Sequence, residues 1–150
     1  MTIKSLTELA DEMRSVAAGT GQPSPLPEPK LHMYLIVRGD LEDVTGGLIP
    51  TGKLMGQAGH GFCTALIQVI ERNGLVARYY ADNQPKIVLK VKNLHALLRA
   101  ETECKEAGLN HFLVTDAGHT IFKEPTQTCL AIGPCYKSEL PKFISRMQLF

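Results

Sequence analysis

The sequence predicts an α/β fold, a three-layer α/β/α sandwich with a four-stranded mixed, mostly parallel sheet. β-prone runs alternate with segments of helical period in the order strand, helix, strand, helix, strand, strand, helix. Met33 to Val37 is apolar at every position, as a strand buried on both faces requires. Only the third and fourth strands lie close enough in sequence to pair as a hairpin. A chain of 150 residues with 44% hydrophobic composition suits one such domain.

At the N-terminus, Ser5-Leu6-Thr7-Glu8 fits a capping box, and Leu6, Leu9, Met13 and Val16 recur at helical spacing. An amphipathic helix is therefore expected to run to about Gly19. Between Gln22 and Lys30, prolines stand at every second position from Pro23 to Pro29, which excludes helix and favours an extended linker. Residues 1–30 read as this helix and its Pro-rich linker, and residues 31–150 as the main domain.

Within that domain the first strand is followed by a loop from Gly39 to Gly52, containing Gly46, Gly47 and Pro50. A helix should begin near Lys53 and run to Asn73, with Gly74 as its stop, since Leu54, Ala58, Cys63, Leu66, Ile67 and Ile70 follow helical spacing. Gly59 and Gly61 weaken that helix, yet they permit another backbone to approach it closely. Arg78 to Asp82 suits a short extra helix.

Lys86 to Val91 reads as the second strand, and Asn93 then caps a helix over Leu94, Leu97, Leu98 and Ala107 that ends at Gly108. His111 to Thr115 is the third strand and Thr128 to Ile132 the fourth. Ser138 is expected to cap a last helix, with Pro141 in its first turn.

Sixteen basic residues against 15 acidic give a formal net charge of +1, so no bulk charge advertises a polyanionic partner. Any contact with RNA must come from a local basic patch. The four cysteines, Cys63, Cys104, Cys129 and Cys135, form no C-x-x-C pair and read as reduced thiols. No apolar run approaches the ~20 residues that a bilayer span needs, and a cytoplasmic location is expected.

Gly47 to Lys53 spells G-x-x-x-x-G-K after a strand, the outline of a phosphate-binding loop, and Phe112 to Asp116 imitates its usual strand-plus-aspartate complement. Leu54, however, stands where such a loop needs a hydroxyl for Mg²⁺, and it offers no oxygen. A different constellation carries more. Lys53, Gln57 and His60 share one helix face, placing an ammonium, an amide and an imidazole side by side. Taken alone, the same trio also fits a solvated helix face.

Several stretches, taken together, resemble the second type of peptidyl-tRNA hydrolase. They are Leu35-Ile36-Val37-Arg38-Gly39-Asp40-Leu41, the run from Thr51 to His60 with its G-K-x-x-x-Q-x-x-H pattern, Asp116-Ala117-Gly118-His119-Thr120, and Gln127 to Pro134. The resemblance covers about Leu31 to Phe150. It implies a four-stranded mixed sheet between helical layers and hydrolysis of the ester joining a peptide to its tRNA, with no metal and no cofactor. It also implies a homodimer.

The same resemblance implies Lys53, Gln57, Asp116, Thr120 and Thr128 as catalytic residues, with His60 and His119 as auxiliary groups. Asp116, the only carboxylate of the set, would orient the water or act as general base; Lys53 would supply positive charge to the oxyanion or to the terminal phosphate. Gln57 and the threonines would donate hydrogen bonds to water and ester. Two positions depart from the family pattern: Thr51 replaces a lysine, and His119 an arginine, so two permanent charges that favour phosphate are missing. Cys129 lacks the surrounding His/Asn pattern of a nucleophile and reads as a small buried side chain. The rival reading is a non-catalytic RNA- or protein-binding module on the same fold.

Overall fold

β1 (His32–Arg38) is buried from Met33 to Val37, with the side chains sorted by parity. Met33, Leu35 and Val37 pack with Ala65 and Tyr79 on one side, while Tyr34 and Ile36 pack with Leu97, Ala100, Cys104 and Ile144 on the other. The continuous apolar run is thus two alternating stripes, each needing its own helical layer. A computed structural model describes residues 5–17, 29–72 and 74–150 of the chain. The linker expected from Gln22 falls, up to residue 28, outside the described residues.

Helix α1 (Leu6–Ala17) begins at the expected capping box: Glu8 N–H donates to Ser5 Oγ over 3.2 Å, and Ser5 N–H to the Glu8 carboxylate over 2.7 Å. After β1, the chain forms α2 (Thr51–Ile67) and α3 (Leu75–Ala81), on the face that receives Met33, Leu35 and Val37. α2 stops at Ile67 rather than Asn73. Gly74 stands in the left-handed region at φ 73° and initiates α3 instead of only ending α2.

β2 (Lys86–Val91) leads to α4 (Leu94–Glu106), where Asn93 Oδ1 accepts from Ala96 N–H over 3.0 Å, and then to the hairpin of β3 (His111–Asp116) and β4 (Thr126–Cys135). The last helix differs from expectation. Ser138 lies inside a 3₁₀ turn, Lys137–Glu139, and Pro141 caps the single-turn α5 (Lys142–Ser145). Proline excludes the α conformation from the residue before it, and Leu140, at ψ 134°, is accordingly extended and breaks the helix there.

The sheet order is β2-β1-β4-β3. β1 and β2 pair in parallel, whereas β1–β4 and β3–β4 are antiparallel, so the sheet is mixed and mostly antiparallel, not mostly parallel. β4 is the cause. As hairpin partner of β3 it runs against the other strands, and it occupies the centre because every residue from Thr128 to Cys135 is buried.

Candidate active site

The first turns of α2 and the end of β3 meet at one edge of the sheet. Gly61 makes this approach possible: a Cβ there would lie 3.1–3.3 Å from Ala131, Leu35 and Val114, so only hydrogen lets α2 settle so close. The face carrying Lys53, Gln57, His60 and Thr64 is left beside β3. Together with Phe112, Val114, Asp116, His119 and Thr120, it lines a cleft of about 440 Å³.

Asp116 is the hub. Its Oδ2 accepts from Lys53 Nζ at 2.5 Å and from Gln57 Nε2 at 2.9 Å, and its Oδ1 accepts Gly118 N–H at 2.9 Å. Lys53 also donates to Thr120 Oγ1 over 2.9 Å, and its ammonium lies 5.8 Å from the centre of the Phe122 ring. An ammonium has three N–H groups, so with two engaged one remains for a substrate. Thr120, exposed and accepting from Lys53, keeps its own O–H to donate.

Thr128 lies behind this layer, 1% exposed, donating to Gln57 Oε1 over 2.7 Å. The network fixes the amide: an ionised carboxylate only accepts, so Gln57 must present nitrogen to Asp116 and oxygen to Thr128. A β-bulge positions Thr128. β3 advances from Val114 to Thr115 while β4 moves from Cys129 to Gln127, which leaves Thr128 as the extra residue. Strict alternation would send Thr128 and Cys129 to opposite faces; instead both reach Gln57, with Cys129 Sγ 3.7 Å from its carbonyl oxygen. Burial pushes the Cys129 thiol up to about 11, which removes it as a nucleophile.

Burial of Asp116 raises its pKa, but the hydrogen bond from Lys53, the Gly118 N–H, the charge of Lys53 and the Gln57 amide outweigh it and hold the carboxyl below its ordinary value. Such a carboxylate is a weak proton acceptor and a good anchor. Of the seven expected residues, Lys53, Gln57, Asp116, Thr120, His60 and His119 line the cleft, and Thr128 supports it from behind.

Gly118, Thr64 and Phe112 are additions. Gly118 sits at φ 80°, and a Cβ there would lie 2.5 Å from the Glu124 carbonyl carbon, so the turn that delivers its N–H to Asp116 requires glycine. An Asp followed two residues later by Gly is a readable turn signal. Thr64 continues the Lys53–Gln57–His60 face by one more helical turn.

A larger hollow of about 690 Å³ lies over the neighbouring loops. It presents Asp40, Glu42, Asp43 and Glu124 against Arg38 and Lys123, a balance that disfavours phosphate.

Comparison with known proteins identifies a family. The family described as Peptidyl-tRNA hydrolase PTH2 matches residues 31–150. Similar proteins include the peptidyl-tRNA hydrolase of Methanopyrus kandleri, 35% identical over 77% of this chain and 94% of that protein. That of Methanothermobacter thermautotrophicus is 31% identical over 79% of this chain and 99% of its own length. That of Thermococcus sibiricus is 31% identical over 80% and 98% respectively.

Proposed function

The chain belongs to the Peptidyl-tRNA hydrolase PTH2 family, its activity is peptidyl-tRNA hydrolysis, and we propose that the Lys53–Gln57–Asp116–Thr120 cluster, backed by Thr128, performs it. The observation that carries this is the meeting of Lys53 with Asp116 and Thr120, groups more than 60 residues apart in sequence, in a single cleft.

In this reading the remaining lone pair of Asp116 Oδ1 and the second N–H of Gln57 hold a water beside the ester carbonyl. The water oxygen bonds to the carbonyl carbon, the bond to the ribose oxygen breaks, one water proton ends on that ribose oxygen, and the other is released to solvent as the peptide acid ionises to a carboxylate. Lys53 meets the oxyanion with its remaining N–H, a contribution of about 2.7–4 kcal/mol for a donor in that role. Thr120 donates to the ester, His119 beside it faces the RNA arm, and His60, further along α2, faces the peptide arm. Because the Asp116 pKa is lowered, orientation of the water suits it better than general-base catalysis.

The reading includes a homodimer, as the family resemblance implies; light scattering at twice the 16.4 kDa chain mass supports it, and a monomer mass removes it. No helix among the described residues is long and apolar enough to cross a membrane.

Incubation with a defined peptidyl-tRNA in buffer containing a chelator should release free peptide and intact tRNA. Lys53→Ala and Asp116→Ala should each slow hydrolysis by about 10²–10³ if both act on the transition state. RNA binding without turnover by the wild-type chain would favour the rival reading, a non-catalytic module.

A further inference from the structure

The cleft continues well past the reacting groups. From Lys53 to Thr64 it follows α2 for about 16 Å at the usual helical rise, and opposite that face it follows β3 from Asp116 back to Phe112 for about 13 Å. β3 is the end strand of the sheet. Gly133 N–H donates to Asn110 O over 2.9 Å, so Asn110 faces β4 and, by alternation, so do Phe112 and Val114. The N–H and C=O groups of His111 and Leu113 therefore point away from the sheet. Among the described residues, no backbone hydrogen bond outside the ladder reaches either of them.

We propose that the outer edge of β3 is the peptide subsite: the peptide arm of the substrate adds to it as an extended, parallel strand. The direction follows from chemistry. The ester is the C-terminus of the peptide and must sit at Asp116, so the preceding residues run back toward His111 in the same sense as β3. About 13 Å accommodates some four extended residues. Strand addition draws affinity from main-chain groups that every peptide carries. A hydrolase acting on interrupted peptides needs such indifference to side chains, and the cleft wall offers no charged pocket beyond Lys53, Asp116 and the two histidines that would select one. This rests on the catalytic placement proposed above.

Residue-resolved amide exchange tests it, using the full chain with acetyl-hexaalanyl-3′-amino-3′-deoxyadenosine, long enough to reach back from Asp116 past His111, whose C-terminal amide replaces the scissile ester. With the probe saturating, as judged from the Gly118 amide, exchange at His111 and Leu113 should slow at least tenfold, while Phe112 and Val114, already bonded to β4, stay unchanged. Unaltered exchange at His111 and Leu113 overturns the proposal, as does slowing at Glu42 to Val44 instead. Concentration-dependent protection of His111 and Leu113 in the free protein also overturns it, because a second copy would then occupy the edge.

A kinetic arm uses peptidyl-tRNAs N-methylated at successive residues, for which kcat/KM should fall at least fivefold at every second position. A flat profile with unmodified peptidyl-tRNA still cleaved removes the strand-addition proposal and spares the catalytic reading. No cleavage of the unmodified substrate removes both.

Discussion

At Asp116 two opposing effects can be ranked. Burial favours the neutral acid, and three hydrogen-bond donors with one adjacent charge favour the anion; the donors prevail and the pKa is lowered. A depressed folded-state pKa stabilises the fold fully above the ordinary aspartate value of 3.8, and that stabilisation is lost as pH falls through the lower folded value. An Asp116 titration followed by carboxyl NMR should therefore have its midpoint below 3.8, and any acid limb in kcat/KM above that pH must come from another group. In Lys53→Met the main opposition to burial is gone, and the midpoint should rise. Thr128 gives a second test at this scale. Thr128→Val leaves Gln57 Oε1 buried without a donor, at a cost of about 1–3 kcal/mol, and frees the amide to turn away from Asp116. kcat should fall with KM little changed, and Thr128→Ser should restore kcat and stability. The Lys53–Gln57–His60 face was legible because helical spacing needs no knowledge of the partner. The side Thr128 faces was not, because counting alternate residues from Cys129 gives the wrong face unless the bulge is known.

Among the elements, α2 shows how one residue type serves opposite ends. Gly61 touches the sheet, and a methyl group there meets three side chains at 3.1–3.3 Å; Gly59, two residues earlier, has nothing within 4 Å of where its Cβ would be. Gly59→Ala should raise stability by about 0.5–1 kcal/mol through helix propensity alone. Gly61→Ala should lower it by about 1–3 kcal/mol through overpacking and should also reduce activity, since α2 carries Lys53 and Gln57. Thermal melts of the two variants should move in opposite directions; equal shifts would mean the α2–sheet contact is looser than it looks. Strand content was readable from the sequence, but strand direction was not. The alternation of strands and helices fixes the sense of β1, β2 and β3, whereas whether a hairpin partner joins the rim or inserts between them depends on burial. The apolar run from Cys129 to Ile132, unbroken like that of β1 though one residue shorter, was the signal for a central place.

For the whole molecule, the two rims of the sheet are treated differently. Along β2, the C-terminal residues add a short strand: Lys90 N–H donates to Gln148 O over 3.0 Å, Phe150 N–H to Val88 O over 2.9 Å, and Leu89 bridges Leu149. Leu149 and Phe150 remain 70% and 59% exposed, so this tail contributes through backbone pairing more than through apolar burial. Two such hydrogen bonds contribute about 1–3 kcal/mol together. Removing residues 148–150 should lower the melting temperature and open the β2 edge to sheet-to-sheet association, which light scattering across a concentration series would detect as growth beyond the mass of the full-length chain. Hydrolysis at low concentration should persist, because the Lys53–Asp116 cleft borders β3 at the opposite rim, with two strands between it and β2. Loss of activity in the still-folded, unassociated truncation would show that the two rims are coupled through β1 and β4. Retention would leave the covered rim a guard against association and the open rim the working edge.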